Sequence, residues 1–310
     1  MHTAPDVPLL ERIAACQRAC VALGREVLRV PGFLVAVAGG HGPGLAVAVP
    51  DDDAPPPSGP AFTALAAAFA SRGADPAIEY VEELQPALAD AAHAAGWRTT
   101  SLVPLMVLAP AALVAGTPAA AGGPSAGDTM RLMQAEDAGS LEAYLRGQYR
   151  AYVGGGGLAH QDAAGDDAPS DDAPGDDATN DHATSDDALA YLPIMRLGLP
   201  GGAMAALAVE RDGRFLAGAS LLRGAGVSEL AGVWTLPEAR RQGLARAACA
   251  ALLAHGFATG DAFAWLSAAP DAAGLYRSLG FDQVGHQRNL DLPRAARRPA
   301  LVEGGTAAIS

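Results

Sequence analysis

The chain has 310 residues, half of them apolar, and a formal net charge of −13. That length accommodates two domains of ordinary size, and the apolar share is ample for a core. No basic stripe with interleaved aromatics appears, which argues against nucleic-acid binding, and the longest weakly apolar run, from Leu105 to Ala121, is broken by prolines and glycine and does not read as a membrane span.

The charge is unevenly spread. Residues 160–188 hold ten aspartates and no arginine, which leaves about −3 for the rest of the chain. All 21 basic residues are arginine; with the excess of alanine, glycine and proline this reads as a codon-composition bias. Cys16, Cys20 and Cys249 make neither a disulfide framework nor a Cys-x-x-Cys metal knuckle, so no metal and a reduced, cytoplasmic setting are expected. Cys16 and Cys20, one helical turn apart, read as small buried apolar residues. The N-terminus has no basic start followed by an apolar run, so no signal peptide is read there.

In chain order, Leu9 to Val30 repeats apolar residues at a helical period and predicts a first helix closed by Pro31-Gly32. Phe33 to Ala38 and Leu45 to Val49 predict a hairpin across a glycine-rich loop in which His41 is a solvated residue. A proline-rich acidic loop follows, then a helix from Ala61 to Ser71, a strand from Ala77 to Val81, a helix from Gln85 to Ala95 closed by Gly96, and a strand from Leu102 to Leu108. Residues 113–128 are rich in alanine, glycine, proline and serine and read as a linker.

Beyond the linker, Met130 to Gln134 predicts a strand and Asp137 to Val153 a helix. An Asp-rich insertion with a period of five follows, within 154–188, and nothing in it can bury enough apolar area to offset the cost of ordering, about 1 to 2 kcal/mol per residue. It therefore reads as a disordered, solvated loop. A hairpin is predicted from Met204 to Leu222 over an Asp-Gly turn. Val227 to Thr235 is the next strand, and Gly243 to Thr259 a helix rich in small residues. Phe263 to Ser267, Asp271 to Leu279 and a strand near Gln287 to Leu292 close the pattern. Helix, strand, helix, Gly-aromatic, strand thus occurs twice, with Gly96-Trp97 and Gly280-Phe281 lying 184 residues apart, which implies a degenerate internal duplication.

The stretch joining the strand at Thr235 to the helix at Leu244 carries the chemistry. Arg240-Arg241-Gln242-Gly243-Leu244-Ala245-Arg246 puts small residues and positive charge at a helix start, where unpaired N–H groups and the helix dipole favour a phosphate. Neither familiar nucleotide loop signature is present. The spacing Arg240-x-x-Gly243-x-Ala245 resembles instead the acyl-CoA pyrophosphate loop of the GNAT family of N-acetyltransferases, Arg/Gln-x-x-Gly-x-Gly/Ala. Leu275-Tyr276-Arg277-Ser278-Leu279-Gly280-Phe281 resembles that family's second motif.

The resemblance implies an α/β (α+β) fold of two GNAT-like domains, each a central mixed, mostly antiparallel sheet flanked by helices. The N-terminal one, 1–112, would be degenerate; the catalytic one, 129–294, would contain the insertion, and 295–310 would be a tail. It implies an acetyl-CoA-dependent N-acetyltransferase that uses acetyl-CoA as cosubstrate and a primary amine of a small molecule or peptide as acceptor, as a monomer or homodimer. Val233, Trp234 and Thr235 would offer backbone partners to the pantetheine arm, and residues 240–246, including Arg241, Gln242, Leu244 and Arg246, would hold the pyrophosphate. Tyr276 would face the departing thiolate. Glu229, eleven residues before Arg240, matches the offset of the family's catalytic glutamate and precedes apolar residues that would raise its pKa. A water chain is the alternative base in that family, and His255 and His286 are lesser candidates. The asparagine often found six residues before the tyrosine is Pro270 here, with Ala273 keeping the small residue that follows. In the first half Pro55 to Pro60 precede the helix with no basic residue, so a single cofactor per chain is expected. The same residues also allow a non-catalytic acyl-CoA-binding or regulatory module.

Overall fold

The computed structural model describes residues 6–39, 45–52, 57–114, 124–153 and 188–294. His41, residues 53–56 of the proline-rich loop, most of the linker, the Asp-rich insertion and the C-terminal tail lie outside the described residues. Seven α-helices are named in chain order: α1 (Val7–Ala22), α2 (Gly59–Ala70), α3 (Leu88–Ala94), α4 (Ala138–Val153), α5 (Leu192–Gly198), α6 (Leu244–Ala258) and α7 (Ala273–Leu279). The strands are β1 (Glu26–Val30), β2 (Phe33–Val37), β3 (Ala46–Pro50), β4 (Ala77–Val81), β5 (Arg98–Leu108), β6 (Thr129–Leu132), β7 (Met204–Arg211), β8 (Arg214–Gly224), β9 (Val227–Thr235), β10 (Ala264–Ser267) and β11 (Asp282–Asp291). Among the described residues no helix is long and apolar enough to cross a membrane.

All eleven strands form one mixed sheet in the order β1-β2-β3-β4-β11-β5-β10-β9-β8-β7-β6. The order is symmetric about the junction of β5 and β11: β4 answers β10, β3 answers β9, and the parallel pairs β3–β4 and β9–β10 occupy matching places. β5, from the first half, pairs with β10; β11, from the second, pairs with β4. The two halves of the chain therefore share one sheet through exchanged strands.

The exchange is fastened by polar contacts that no single half could make. Arg98 is bidentate to Asp291 at 2.7 and 2.8 Å, and Arg288 to Glu82 at 2.6 and 2.9 Å. A buried chain runs from Gln17 of α1 to Gln287, Asn289 and Ser101, at 3.5, 3.0 and 2.8 Å. His286 belongs to this system. It lies in β11 opposite Pro104, with Nδ1 2.9 Å from Glu83, and not in a polar turn as its sequence neighbours suggest.

The first helix is shorter than its periodicity predicts. α1 ends at Ala22, Gly24 takes φ +66, and the β-branched stretch Glu26–Val30 pairs with β2 as the edge of the sheet. α3 starts at Leu88 because Pro86 disfavours helical geometry at Gln85, which sits at φ −134. α5 is a helix that the sequence pattern does not announce. α1 packs across the sheet from β2–β4 to β8–β9, with Leu10, Ile13, Cys16 and Cys20 meeting Val81, Val227 and Trp265, so it covers both halves.

Candidate functional site

Two parallel strands part at the centre of the second half. The ladder between β9 and β10 holds only two register pairs, Ala264 with Ser228 and Trp265 with Glu229. From Leu230 to Thr235 β9 runs on beside β8 alone, while β10 stays paired with β5 along its whole length. The fork so formed leaves the β10-facing edge of β9 out of any ladder, and Glu229 is the last residue before it opens. An open strand edge of this kind presents backbone donors and acceptors to an extended guest.

β9 is irregular inside the fork. Gly232 takes φ +57 and the pairing with β8 slips between Gly218 and Ser220, which marks a bulge. Gln148 of α4 donates from Nε2 to the Gly232 carbonyl at 3.3 Å, and the Tyr152 hydroxyl donates to the Val233 carbonyl at 3.5 Å. Trp234 is buried edge-on to Tyr144, ring centroids 5.5 Å apart, in a slot made by two glycines. A Cβ at Gly147 would lie 2.7 Å from the indole and one at Gly218 2.6 Å from it. Trp234 therefore acts through packing, with its backbone paired to Gly218.

The turn after β9 is built from left-handed residues. Pro237–Ala239 form a short 3-10 turn, Arg241 takes φ 62, and Gly243 caps α6 at φ 74 with no side chain to occupy the N-terminal N–H groups. A non-glycine residue at positive φ costs about 1 to 2 kcal/mol and is found where a turn must aim its amides. Among the described residues no side chain caps the N–H groups at the start of α6, which lie at the positive end of the helix dipole.

The side chains around the turn are held. Arg240 donates to the Ala151 carbonyl at 3.1 Å, and Arg246 to the Ser278 and Val114 carbonyls at 3.1 and 3.2 Å. Gln242 accepts from both terminal nitrogens of Arg211 at 3.2 Å. Arg211 in turn is bidentate to Asp128 at 2.6 and 2.9 Å, and its guanidinium draws the Asp128 carboxyl down to about 2. Arg241 is exposed.

Tyr276 lies on α7, buried against Phe281 with ring centroids 6.0 Å apart. Burial pushes its hydroxyl pKa up, and Cys249, Tyr152 and Asp271 add to the effect, so the phenol stays protonated at any working pH. Glu229 is half-buried on β9, where desolvation raises its carboxyl to about 8. Cys16 of α1 and Glu79 of β4 push the same way and Arg25 opposes them. Tyr191, just before α5, is raised by burial and feels Arg25 and Glu79 as well. The first half thus contributes α1 and β4 to the surroundings of Glu229, whereas Tyr276 sits among residues of the second half. Glu229 and Tyr276 share no hydrogen bond among the described residues. Cys16 and Cys20 are buried with their sulfurs 3.6 Å apart.

His255 stands half-buried in the last turn of α6, at the wall of a cavity of about 200 Å³ that Glu136, Pro200, Met204 and Arg223 also line, away from the fork. The residues that sequence reasoning missed are Gln148, Tyr152, Arg211 and Asp128. The first two had a signal: Tyr144, Gln148 and Tyr152 recur every fourth residue, a polar stripe along one helix face. The Arg211–Asp128 pair, 83 positions apart, had none.

Comparison with known proteins adds three findings. Residues 172–281 match the family model for the acetyltransferase (GNAT) family. The structure is similar to that of a GCN5-related N-acetyltransferase from Kribbella flavida, with 24% identity, 92% of this chain and 96% of that chain covered, and a TM-score of 0.63. It is also similar to a tandem GNAT protein from the clavulanic acid biosynthesis pathway, with 14% identity, 84% and 78% of the two chains covered, and a TM-score of 0.51. At these identities the structural likeness concerns the fold. No curated protein sequence matches the chain.

Proposed function

We propose that this chain, whose second half carries a GNAT domain and whose strands build a tandem GNAT sheet, moves an acetyl group from acetyl-CoA to a primary amine by direct attack. The observation that carries the reading is the fork between β9 and β10, with an open helix start at its outer end and a raised carboxyl where it begins. In this reading the open edge of β9 from Val233 to Thr235 holds the pantetheine arm, and the turn from Arg240 to Arg246 holds the pyrophosphate. The catalytic unit is 129–294, with 1–112 shaping the acceptor side through α1 and β4.

In the reaction the amine lone pair attacks the thioester carbonyl carbon, a C–N bond forms, and the C–S bond breaks as the thiolate leaves. Before attack the ammonium gives one proton to Glu229, which frees the lone pair, and the second N–H proton, shed as the amide forms, passes to the departing thiolate. Moving a proton from an ordinary ammonium, pKa about 10.4, to a carboxylate of pKa about 8 costs about 3 kcal/mol, against about 8 kcal/mol for an unperturbed carboxylate. Burial therefore makes Glu229 a usable base. The Tyr276 phenol is a weaker acid than a thiol of pKa about 8.5, so it steadies the thiolate by hydrogen bonding and keeps its proton.

The test mixes purified protein with acetyl-CoA and a panel of primary amines and follows the appearance of free thiol. The reading predicts amine-dependent release that accelerates as pH rises towards about 8. Tight binding of acetyl-CoA with no release across the panel would contradict it and favour an acyl-CoA-binding module.

A further inference from the structure

The contacts that α4 makes with β9 point to residues outside the two family motifs. We propose that Gln148 and Tyr152, near the C-terminal end of α4, are positioning residues for acyl transfer, because their hydrogen bonds to the carbonyls of Gly232 and Val233 set the shape of the open β9 edge. The inference rests on the reading of the fork as the acyl-CoA site.

In a regular strand successive carbonyls point to opposite edges. Here one helix reaches two in succession, Gly232 from Gln148 and Val233 from Tyr152, which is possible only because Gly232 is left-handed and the strand bulges. The fit is close. A Cβ at Gly232 would lie 2.6 Å from Gln148 Nε2, so the amide rests against bare backbone. Gln148 Nε2 also donates to the Tyr152 hydroxyl at 3.5 Å, which links the two contacts. At 3.3 and 3.5 Å these are long, weak hydrogen bonds.

α4 is itself immobilised at the same place. Gly147 holds it against Trp234, and the Ala151 carbonyl accepts from Arg240 of the pyrophosphate turn. Residues 147, 148, 151 and 152 form one face of the helix, and that face touches the bulge, the indole behind it and the turn beyond. The spacing between the fork wall and the helix start is thereby preset before any donor arrives, which is what orients a thioester for attack.

Gln148→Met and Tyr152→Phe remove the donors and keep the volume. Turnover with acetyl-CoA is expected to fall roughly ten- to a hundredfold in each, with the KM for acetyl-CoA and the Kd for CoA within about twofold of wild type. Backbone amide exchange across residues 231–234 should quicken, and the double variant should lose about as much as the worse single one, because both contacts act on one element. Wild-type turnover and exchange in both variants would overturn the proposal. So would a loss of CoA affinity in proportion to turnover, which marks general binding and not positioning. If the wild-type protein transfers nothing to any amine, the transferase reading fails on its own. Positioning is then read from the slowing of exchange at 231–234 by CoA, which the proposal predicts in wild type and not in the variants; equal slowing in all three would overturn it.

Discussion

The two halves of the sheet repeat one order of elements and differ most at the start of a single helix. α6 begins behind Gly243, left-handed and without a capping side chain, after two arginines. α2 begins behind Ser58 in extended geometry at φ −112, with a proline in its first turn and no arginine before it. There Pro57 packs on Gly32 so closely that a Cβ on the glycine would meet it at 2.9 Å. The second motif differs in the same sense: Tyr276 stands four residues before Gly280, and at the matching place before Gly96 the chain has Ala92, fully buried. The order of strands and helices is therefore present in both halves, while the left-handed, arginine-flanked helix start and the tyrosine before the glycine are present in the second alone.

The sharpest way to break this contrast is at the helix start. Gly243→Val forces a β-branched residue into left-handed geometry and puts bulk where a phosphate must approach, so CoA affinity measured by calorimetry is expected to fall about a hundredfold or more. Gly59→Ala at the other helix start, where a Cβ meets nothing within 4 Å, should leave affinity unchanged. An equal loss from both would erase the distinction between the halves.

Tyr276→Phe comes next. In the proposed mechanism the phenol donates a hydrogen bond to the thiolate and keeps its proton, so turnover should fall about ten- to a hundredfold, with the Kd for CoA little changed; unchanged turnover removes Tyr276 from the mechanism.

Glu229→Gln tests the fork's other end, with an expected loss of about tenfold in kcat/KM at pH 8 and of the rising limb below it. Stability supplies a second readout. With its carboxyl raised to about 8, the folded protein holds a proton that the unfolded chain has released, so this group weakens the fold progressively as pH rises from about 4.5 to about 8 and fully above that. The Glu229→Gln variant should accordingly melt higher than wild type at pH 9 and with no such advantage near pH 4. A parallel pH dependence of the two melting curves would show that Glu229 titrates normally.

The smallest effect is expected from the histidines. His286 is tied to Glu83 in the exchanged strand and His255 lies at a cavity away from the fork, so His255→Ala and His286→Ala should each leave turnover within about twofold. A large loss from either would move the base away from Glu229.

Much of this contrast is legible along the chain, because it is local. The left-handed cap at Gly243, the spacing of Tyr276 before Gly280, and the missing arginine before Pro60 are all written within a few residues. So are most strands, whose alternation and flanking glycines or prolines mark them: Ala77–Val81 and Val227–Thr235 fall where the sequence puts them. What depends on distant partners is not written there. The end of α1 at Ala22 is set by Gly24 and by β1 finding β2, while the helical period of apolar residues carries on past both. The exchange of β5 and β11 is fixed by pairs such as Arg98–Asp291 and Arg288–Glu82, which are almost two hundred residues apart and have no local trace. The contact that Gly232 makes with Gln148 is of the same kind, since Gln148 stands on a helix 84 residues away.

A calorimetric titration of the whole chain with CoA tests the central claim most directly. The account predicts one CoA bound per chain, with affinity lowered about a hundredfold or more by Gly243→Val and untouched by Gly59→Ala. Two bound per chain, or wild-type affinity in Gly243→Val, would contradict it.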